Sequence, residues 1–282
     1  MAEATDVLLR LDRVAITDPL DSTELVQSIS FTLRRGAVLG IVGESGSGKT
    51  LTCRAALGIL PDRLQVSAGS IEIFGADAAT LTAKEWTALR GSRIGAVFQD
   101  PGSYLNPSIR VGPQVAEVLR VKAGLNRRQA RRRAVELFGE VRLADPDFVY
   151  QQYPHELSGG MLQRVLIAAA IALEPEILIA DEATTALDVT VQAEILDLLV
   201  ELKERIGLAL VVVAHDLTVV AQLCDEVLVM RDGEVVEHGS CDQVLRSPQH
   251  AYTRLLISEH HQYGLDRFRA GATPRTEVLD RV

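Results

Sequence analysis

The chain has 282 residues, 47% of them hydrophobic and 24% charged, a composition that suits one large folded domain with a subdomain and excludes a largely disordered chain. Its net charge of -9 argues against a nucleic-acid partner, because phosphate backbones are held chiefly by Lys and Arg. The cysteines Cys53, Cys224 and Cys241 form no CxxC pair, so they suggest neither a disulfide framework nor a zinc site and read as reduced, mostly buried thiols.

From the N-terminus, Met1 to Arg10 carries Glu3 and Asp6 and lacks the basic start and apolar centre of a signal peptide, which points to the cytoplasm. Val7 to Ile16, Leu25 to Leu33 and Ser70 to Phe74 are apolar runs bounded by turn residues and are expected to form an antiparallel β layer. Val38 to Val42 is uninterrupted apolar sequence stopping at Gly43, the pattern of a buried parallel strand. A helix is expected from Gly48 to about Leu60, ended by Pro61. Further buried strands are expected at Ile94 to Phe98, Ile177 to Ala180, Ala209 to Ala214 and Val227 to Met230, with helical patterns between several of them, giving an α/β core.

Between Gly102 and Leu173 helical periodicity replaces the strand pattern, which reads as an inserted helical subdomain over about 102–173. The basic run Arg127, Arg128, Arg131, Arg132 and Arg133 within it reads as a solvated helix face. The longest apolar stretches, Val165 to Leu173 and Leu208 to Ala214, fall far short of the roughly 20 residues that cross a bilayer. The polar sequence from Gly264 reads as a C-terminal tail, 264–282, outside the main domain, 1–263.

Gly43-Glu44-Ser45-Gly46-Ser47-Gly48-Lys49-Thr50 fits GxxxxGK[ST] between an expected buried strand and an expected helix, the context of a phosphate-binding P-loop. Its backbone N–H groups would close around phosphates, Lys49 would neutralise their charge and the Thr50 hydroxyl would ligate Mg²⁺. Ile177 to Ala180 then runs into Asp181 and Glu182, which places two carboxylates at the carboxyl edge of the sheet. Asp181 would hold Mg²⁺, and Glu182 would orient and deprotonate the attacking water.

A P-loop with two acids leaves many nucleoside triphosphatases open, and Leu157-Ser158-Gly159-Gly160-Met161, ahead of Asp181, narrows them. Taken alone, Ser-Gly-Gly before a helix is an ordinary N-cap. In this order it resembles the signature of the ABC ATPase family, whose members have a P-loop NTPase (RecA-like) core, an N-terminal antiparallel β subdomain and an inserted helical subdomain. Three further segments match that family: Gln99 as the Q-loop, Thr185-Ala186-Leu187-Asp188 as the D-loop, and His215 as the switch histidine. The resemblance implies ATP and Mg²⁺ as cofactors, with Gln99, Glu182 and His215 at the reacting phosphate and Asp188 at a dimer seam. It also implies that Leu157 to Met161 act on the ATP of a second ABC ATPase subunit.

The likeness to the peptide and nickel importer branch rests on Gly43 to Thr52, Leu57 to Pro61, Leu105-Asn106-Pro107, Tyr153 to Arg164 and Ser247 to Arg254. Lack of a cysteine-rich extension, with Leu51-Thr52-Cys53 and Tyr263-Gly264, is more similar to the nickel-import ATP-binding subunits. The branch implies a motor on the cytoplasmic side of the membrane for uptake of nickel or a dipeptide-like or oligopeptide-like solute. Its partners would be a paralogous ATPase, two transmembrane permeases and a separate substrate-binding protein. The alternative is a soluble ABC ATPase of DNA repair or translation, whose usual coiled-coil insertion or second cassette is not evident.

Two residues depart from the family pattern. Ile16 or Thr17 stands where an aromatic ring normally stacks on adenine, and Ala183 replaces the proline that often follows the catalytic glutamate. His250, His260 and His261 are read as surface histidines, so no protein-ligated metal is expected beyond the Mg²⁺ that accompanies ATP.

Overall fold

The computed structural model describes residues 6–183 and 187–263. Its first half runs β1 (Val7–Asp18), β2 (Thr23–Arg34), β3 (Val38–Val42), α1 (Lys49–Ala56), β4 (Gln65–Ile73), β5 (Ala76–Asp77), α2 (Ala83–Leu89) and β6 (Ile94–Val97). The helices α3 (Val111–Ala123), α4 (Arg127–Glu140), α5 (Pro146–Tyr150) and α6 (Gly159–Ala170) follow. The remainder is β7 (Ile177–Asp181), α7 (Val189–Ile206), β8 (Ala209–Ala214), α8 (Leu217–Leu223), β9 (Glu226–Arg231), β10 (Glu234–Ser240), α9 (Cys241–Arg246) and α10 (Ala251–Tyr263). Thr185, Ala186 and residues 264–282 lie outside the described residues.

The strands form an antiparallel sheet in the order β2-β1-β4-β5 and a six-stranded sheet in the order β10-β9-β3-β8-β7-β6. In the larger sheet every pairing from β9 to β6 is parallel, and β10 adds an antiparallel edge. Apolar side chains of the central strands serve two cores because successive residues point to opposite faces. Leu39 and Ile41 of β3, with Val211 and Val213 of β8, pack toward the antiparallel sheet and α1. Val38 and Val42, with Leu210 and Val212, pack toward the helices α3 to α8. Each such fully buried aliphatic side chain stabilises the fold by about 1.5–3 kcal/mol, which is why these strands read as unbroken apolar runs.

The helix after the P-loop ends earlier than its sequence suggests. It stops at Ala56 rather than near Leu60, because Gly58 takes a left-handed conformation with φ 61°. The Gly58 N–H then donates to Ala55 O and the Ile59 N–H to Arg54 O, closing the helix before Pro61 is reached. At the other end of the chain, β10, α9 and α10 carry no strong apolar periodicity and were not expected from the sequence.

The helices α3 to α6 intervene between β6 and β7. Asn126 caps α4 by accepting the N–H groups of Arg128 and Gln129, while Ala130, Ala134, Leu137 and Phe138 supply its buried face. The arginines of this helix largely pair with neighbouring acids: Arg131 with Asp147, Arg132 with Glu136, and Arg133 with Glu140 and Glu136. Such exposed pairs contribute little stability, but they neutralise the run locally, in keeping with a solvated face. Among the described residues, no helix is long and apolar enough to cross a membrane.

Candidate nucleotide site

The parallel strands place the chemistry at one edge. The P-loop follows the carboxyl end of β3, His215 follows β8, Asp181 ends β7 with Glu182 next, and Gln99 lies two residues beyond β6. Since β3, β8, β7 and β6 are consecutive neighbours, four sequence-distant segments meet at the crevice where open α/β sheets bind ligands.

Lys49 opens α1 and is only 4% exposed. Its Nζ donates to Gly43 O and Glu44 O, each at 2.8 Å, so the loop curls around its own ammonium group. Burial pushes the Lys49 pKa down, opposed by the negative charges of Glu182 and Asp181. Beside it, the Thr50 hydroxyl donates to Asp181 Oδ1 at 3.1 Å, joining the P-loop helix to the end of β7. Asp181 is 2% exposed, and burial pushes its pKa up against the lowering effect of that hydrogen bond. Both shifts have one origin: the pocket desolvates charges that a bound nucleotide and cation would compensate.

The Thr50 hydroxyl and the Asp181 carboxylate, joined at 3.1 Å, offer hard oxygen donors in one place. That donor set suits a divalent cation of the Mg²⁺ type bound beside phosphates. The backbone of Glu182 is left-handed at φ 50°, and its N–H donates to Val213 O of β8 at 3.0 Å. A non-glycine residue held there costs on the order of 1–3 kcal/mol, so the neighbouring strand fixes the Glu182 backbone in an unusual conformation. Gln99 and His215 are both exposed at the crevice.

The signature segment stands apart from this cluster in the chain and packs on the start of α7. Ser158 caps α6 by accepting the Met161 N–H at 3.3 Å, so the ordinary helix-capping role is present as well. Leu157 and Met161 are half-buried against the core, and Gly159 lies on Leu187. A Cβ on Gly160 would stand 2.6 Å from Val191 Cγ1. Asp188 accepts the Val191 N–H at 3.0 Å as the N-cap of α7, a role the sequence did not reveal. Arg164, 6% exposed, donates to Val141 O and to Glu194 of α7 at 2.9 and 2.7 Å. Signature helix and D-loop helix are thus fastened to one another.

Gly160→Ala is therefore expected to destabilise the chain by about 1–2 kcal/mol in chemical denaturation, because Val191 has one preferred rotamer in a helix and yields poorly. Val191→Ala in that background should recover most of the loss.

Ile16 is fully buried and shares a core-facing side of β1 with Val14, so it presents no surface to a base. Thr17 is half-buried. His250 Nδ1 accepts the Tyr252 N–H at 3.2 Å, a structural role, while the side chains of His260 and His261 lie outside the described residues. No group of three or more His, Cys, Asp or Glu side chains among the described residues could hold a metal ion. The three thiols are free, and burial pushes their pKa values up, that of Cys241 to about 11.

A family model described as ABC transporter matches residues 26–185, from β2 through the P-loop and signature to the D-loop. The chain belongs to the ABC transporter family. It is an ABC-type ATPase, and its α/β P-loop fold is shared with solved ABC cassettes. One is the ATP-binding cassette MJ0796, in a dimeric post-hydrolysis state bound to ADP and Pi, with a TM-score of 0.74, 29% identity, and coverage of 83% of this chain and 99% of that one. Among curated ABC relatives, the dipeptide transport ATP-binding protein DppD of Escherichia coli (strain K12) is 41% identical over 95% of this chain and 82% of its own length. The metal-staphylopine import system ATP-binding protein CntD of Staphylococcus aureus (strain Mu50 / ATCC 700699) is 39% identical over 89% and 92%.

Proposed function

We propose that this ATPase drives uptake of a small amino-acid-derived solute, a short peptide or a metal held by a peptide-like chelator, across the cytoplasmic membrane. What carries the substrate class is the pair of relatives, a dipeptide transport subunit and a metal-staphylopine import subunit. Nickel enters as one cargo metal of such a chelate. A role in DNA repair or translation has no counterpart among these relatives.

In the proposed mechanism the P-loop amides other than that of Glu44, together with the ammonium of Lys49, hold the β- and γ-phosphates. Thr50 and Asp181 are the residues that would hold Mg²⁺, which, when bound, neutralises charge on the phosphate oxygens. Glu182 takes a proton from water as the water oxygen bonds to the γ-phosphorus and the bond to the bridging oxygen breaks, leaving ADP and phosphate. His215 and Gln99 line the same crevice and contact the γ-phosphate and the attacking water. Leu157 to Met161 complete the site of a second ATPase subunit, with Asp188 at the seam, a reading supported by the dimeric ADP-and-Pi state of the solved cassette. The partner is a paralogue, and the pair sits peripherally on two permeases fed by a substrate-binding protein.

The test is uptake of a labelled dipeptide, free nickel and nickel bound to an amino-acid-derived chelator, in cells carrying the native chain or Lys49→Ala. Selective loss of dipeptide or chelate uptake in the variant supports the assignment. Unchanged uptake of all three removes this substrate class.

A further inference from the structure

The P-loop is held from outside by a helix whose sequence gives no hint of contact with nucleotide. Tyr252 lies on the first turn of α10 and is 3% exposed. Its hydroxyl oxygen accepts the Glu44 N–H at 3.0 Å, across 208 positions of sequence. Two contacts fix the ring and the helix start. The Arg231 guanidinium lies 5.0 Å from the ring centroid at the end of β9. The Glu237 carboxylate of β10 accepts the N–H groups of Gln249 and His250 at 2.7 and 3.0 Å, as a cap would.

The Glu44 N–H and the Gly43 carbonyl belong to the same peptide unit. That unit is planar, so the direction of its N–H sets the direction of its C=O. Here the N–H is held by Tyr252, and the C=O holds Lys49 Nζ at 2.8 Å. An unpinned peptide between glycine and a loop residue could turn its plane away from the ammonium group. With both ends engaged, it keeps Lys49 folded into the loop.

We propose that Tyr252 is a positioning residue for nucleotide binding: through its hydroxyl, α10 orients the Gly43–Glu44 peptide and thereby presets Lys49 for the phosphates of a nucleoside triphosphate. The inference rests on the assignment of Lys49 to the phosphates. It adds that the C-terminal helix is part of the nucleotide-binding apparatus, so that displacement of α10 would loosen the P-loop.

The experiment is an ATP titration on the full-length chain in four forms: native, Tyr252→Phe, Lys49→Ala and the double variant. Phenylalanine keeps the ring and its packing and deletes the hydroxyl, both as acceptor of the Glu44 N–H and as donor toward the Glu44 side chain. Tyr252→Phe is expected to raise the ATP Kd about 3- to 10-fold with the melting midpoint within about 2 °C of native. In the Lys49→Ala background the same change should shift Kd by less than about twofold, because its effect runs through the lysine. The Glu44 amide should also lose hydrogen-exchange protection in Tyr252→Phe, read by NMR without nucleotide. An unchanged Kd, an equal factor in both backgrounds, or retained Glu44 protection overturns the proposal. If Lys49→Ala leaves Kd unchanged, the assignment of the lysine fails first and takes the inference with it.

Discussion

Glu182→Gln is expected to slow ATP hydrolysis by about 10²–10⁴-fold while leaving ATP binding close to native, the range for loss of a positioned general base. The reasoning is geometric. Glu182 follows the buried end of β7 in a left-handed conformation, its backbone tied to Val213 of β8, so the replacement inherits the same position. Glutamine preserves size and hydrogen-bonding capacity but cannot accept a proton from water at neutral pH. Asp181 and Thr50 remain joined in the variant, so the groups proposed to hold Mg²⁺ are undisturbed. Rapid-quench measurement of one turnover, beside an equilibrium ATP titration, separates the two effects. Equal loss of binding and hydrolysis would instead assign Glu182 to holding the nucleotide.

Lys49→Ala should act on the other side of that division, raising the ATP Kd by about 10- to 100-fold, the scale of a charge-assisted hydrogen bond to phosphate. The side chain is nearly fully buried and its ammonium is engaged by two loop carbonyls. Its removal leaves Gly43 O and Glu44 O without that donor and takes from the pocket a positive charge that, with Arg54, acts on Asp181. Titration with a fluorescent ATP analogue reads the change, and an unaltered Kd would displace Lys49 from the phosphates.

The parts of this fold legible in the sequence are those where one local pattern has one physical cause. The β3 run Val38 to Val42 and the β8 run Ala209 to Ala214 match the strands residue for residue, because a strand buried on both faces tolerates few polar side chains. Pro61 suggests a later end to α1 than the structure has, because the left-handed Gly58 closes the helix first. The strand β10 leaves no clear signal in the sequence because Glu234 to Ser240 forms a half-exposed edge with mixed polarity.

The site divides along the same line. The P-loop stands out by its own spacing, whereas the paired acids gain their meaning beside it and the signature gains its meaning from its order and its resemblance to the family. The bonds between Tyr252 and Glu44, between Arg164 and Glu194, and the contact of Gly160 with Val191 join segments whose meeting depends on the finished fold. The sequence leaves Ile16 or Thr17 in place of the aromatic ring that stacks on adenine, and strand alternation turns Ile16 into the core with Val14.

The central claim is that ATP cleavage at this sheet edge drives import, and it is tested most directly by measuring phosphate release and solute uptake together. The measurement uses proteoliposomes holding the complete transporter, with native chain or Glu182→Gln. Both are expected to fall together in the variant while ATP remains bound. Uptake that continues at the native rate after hydrolysis has been abolished would contradict it.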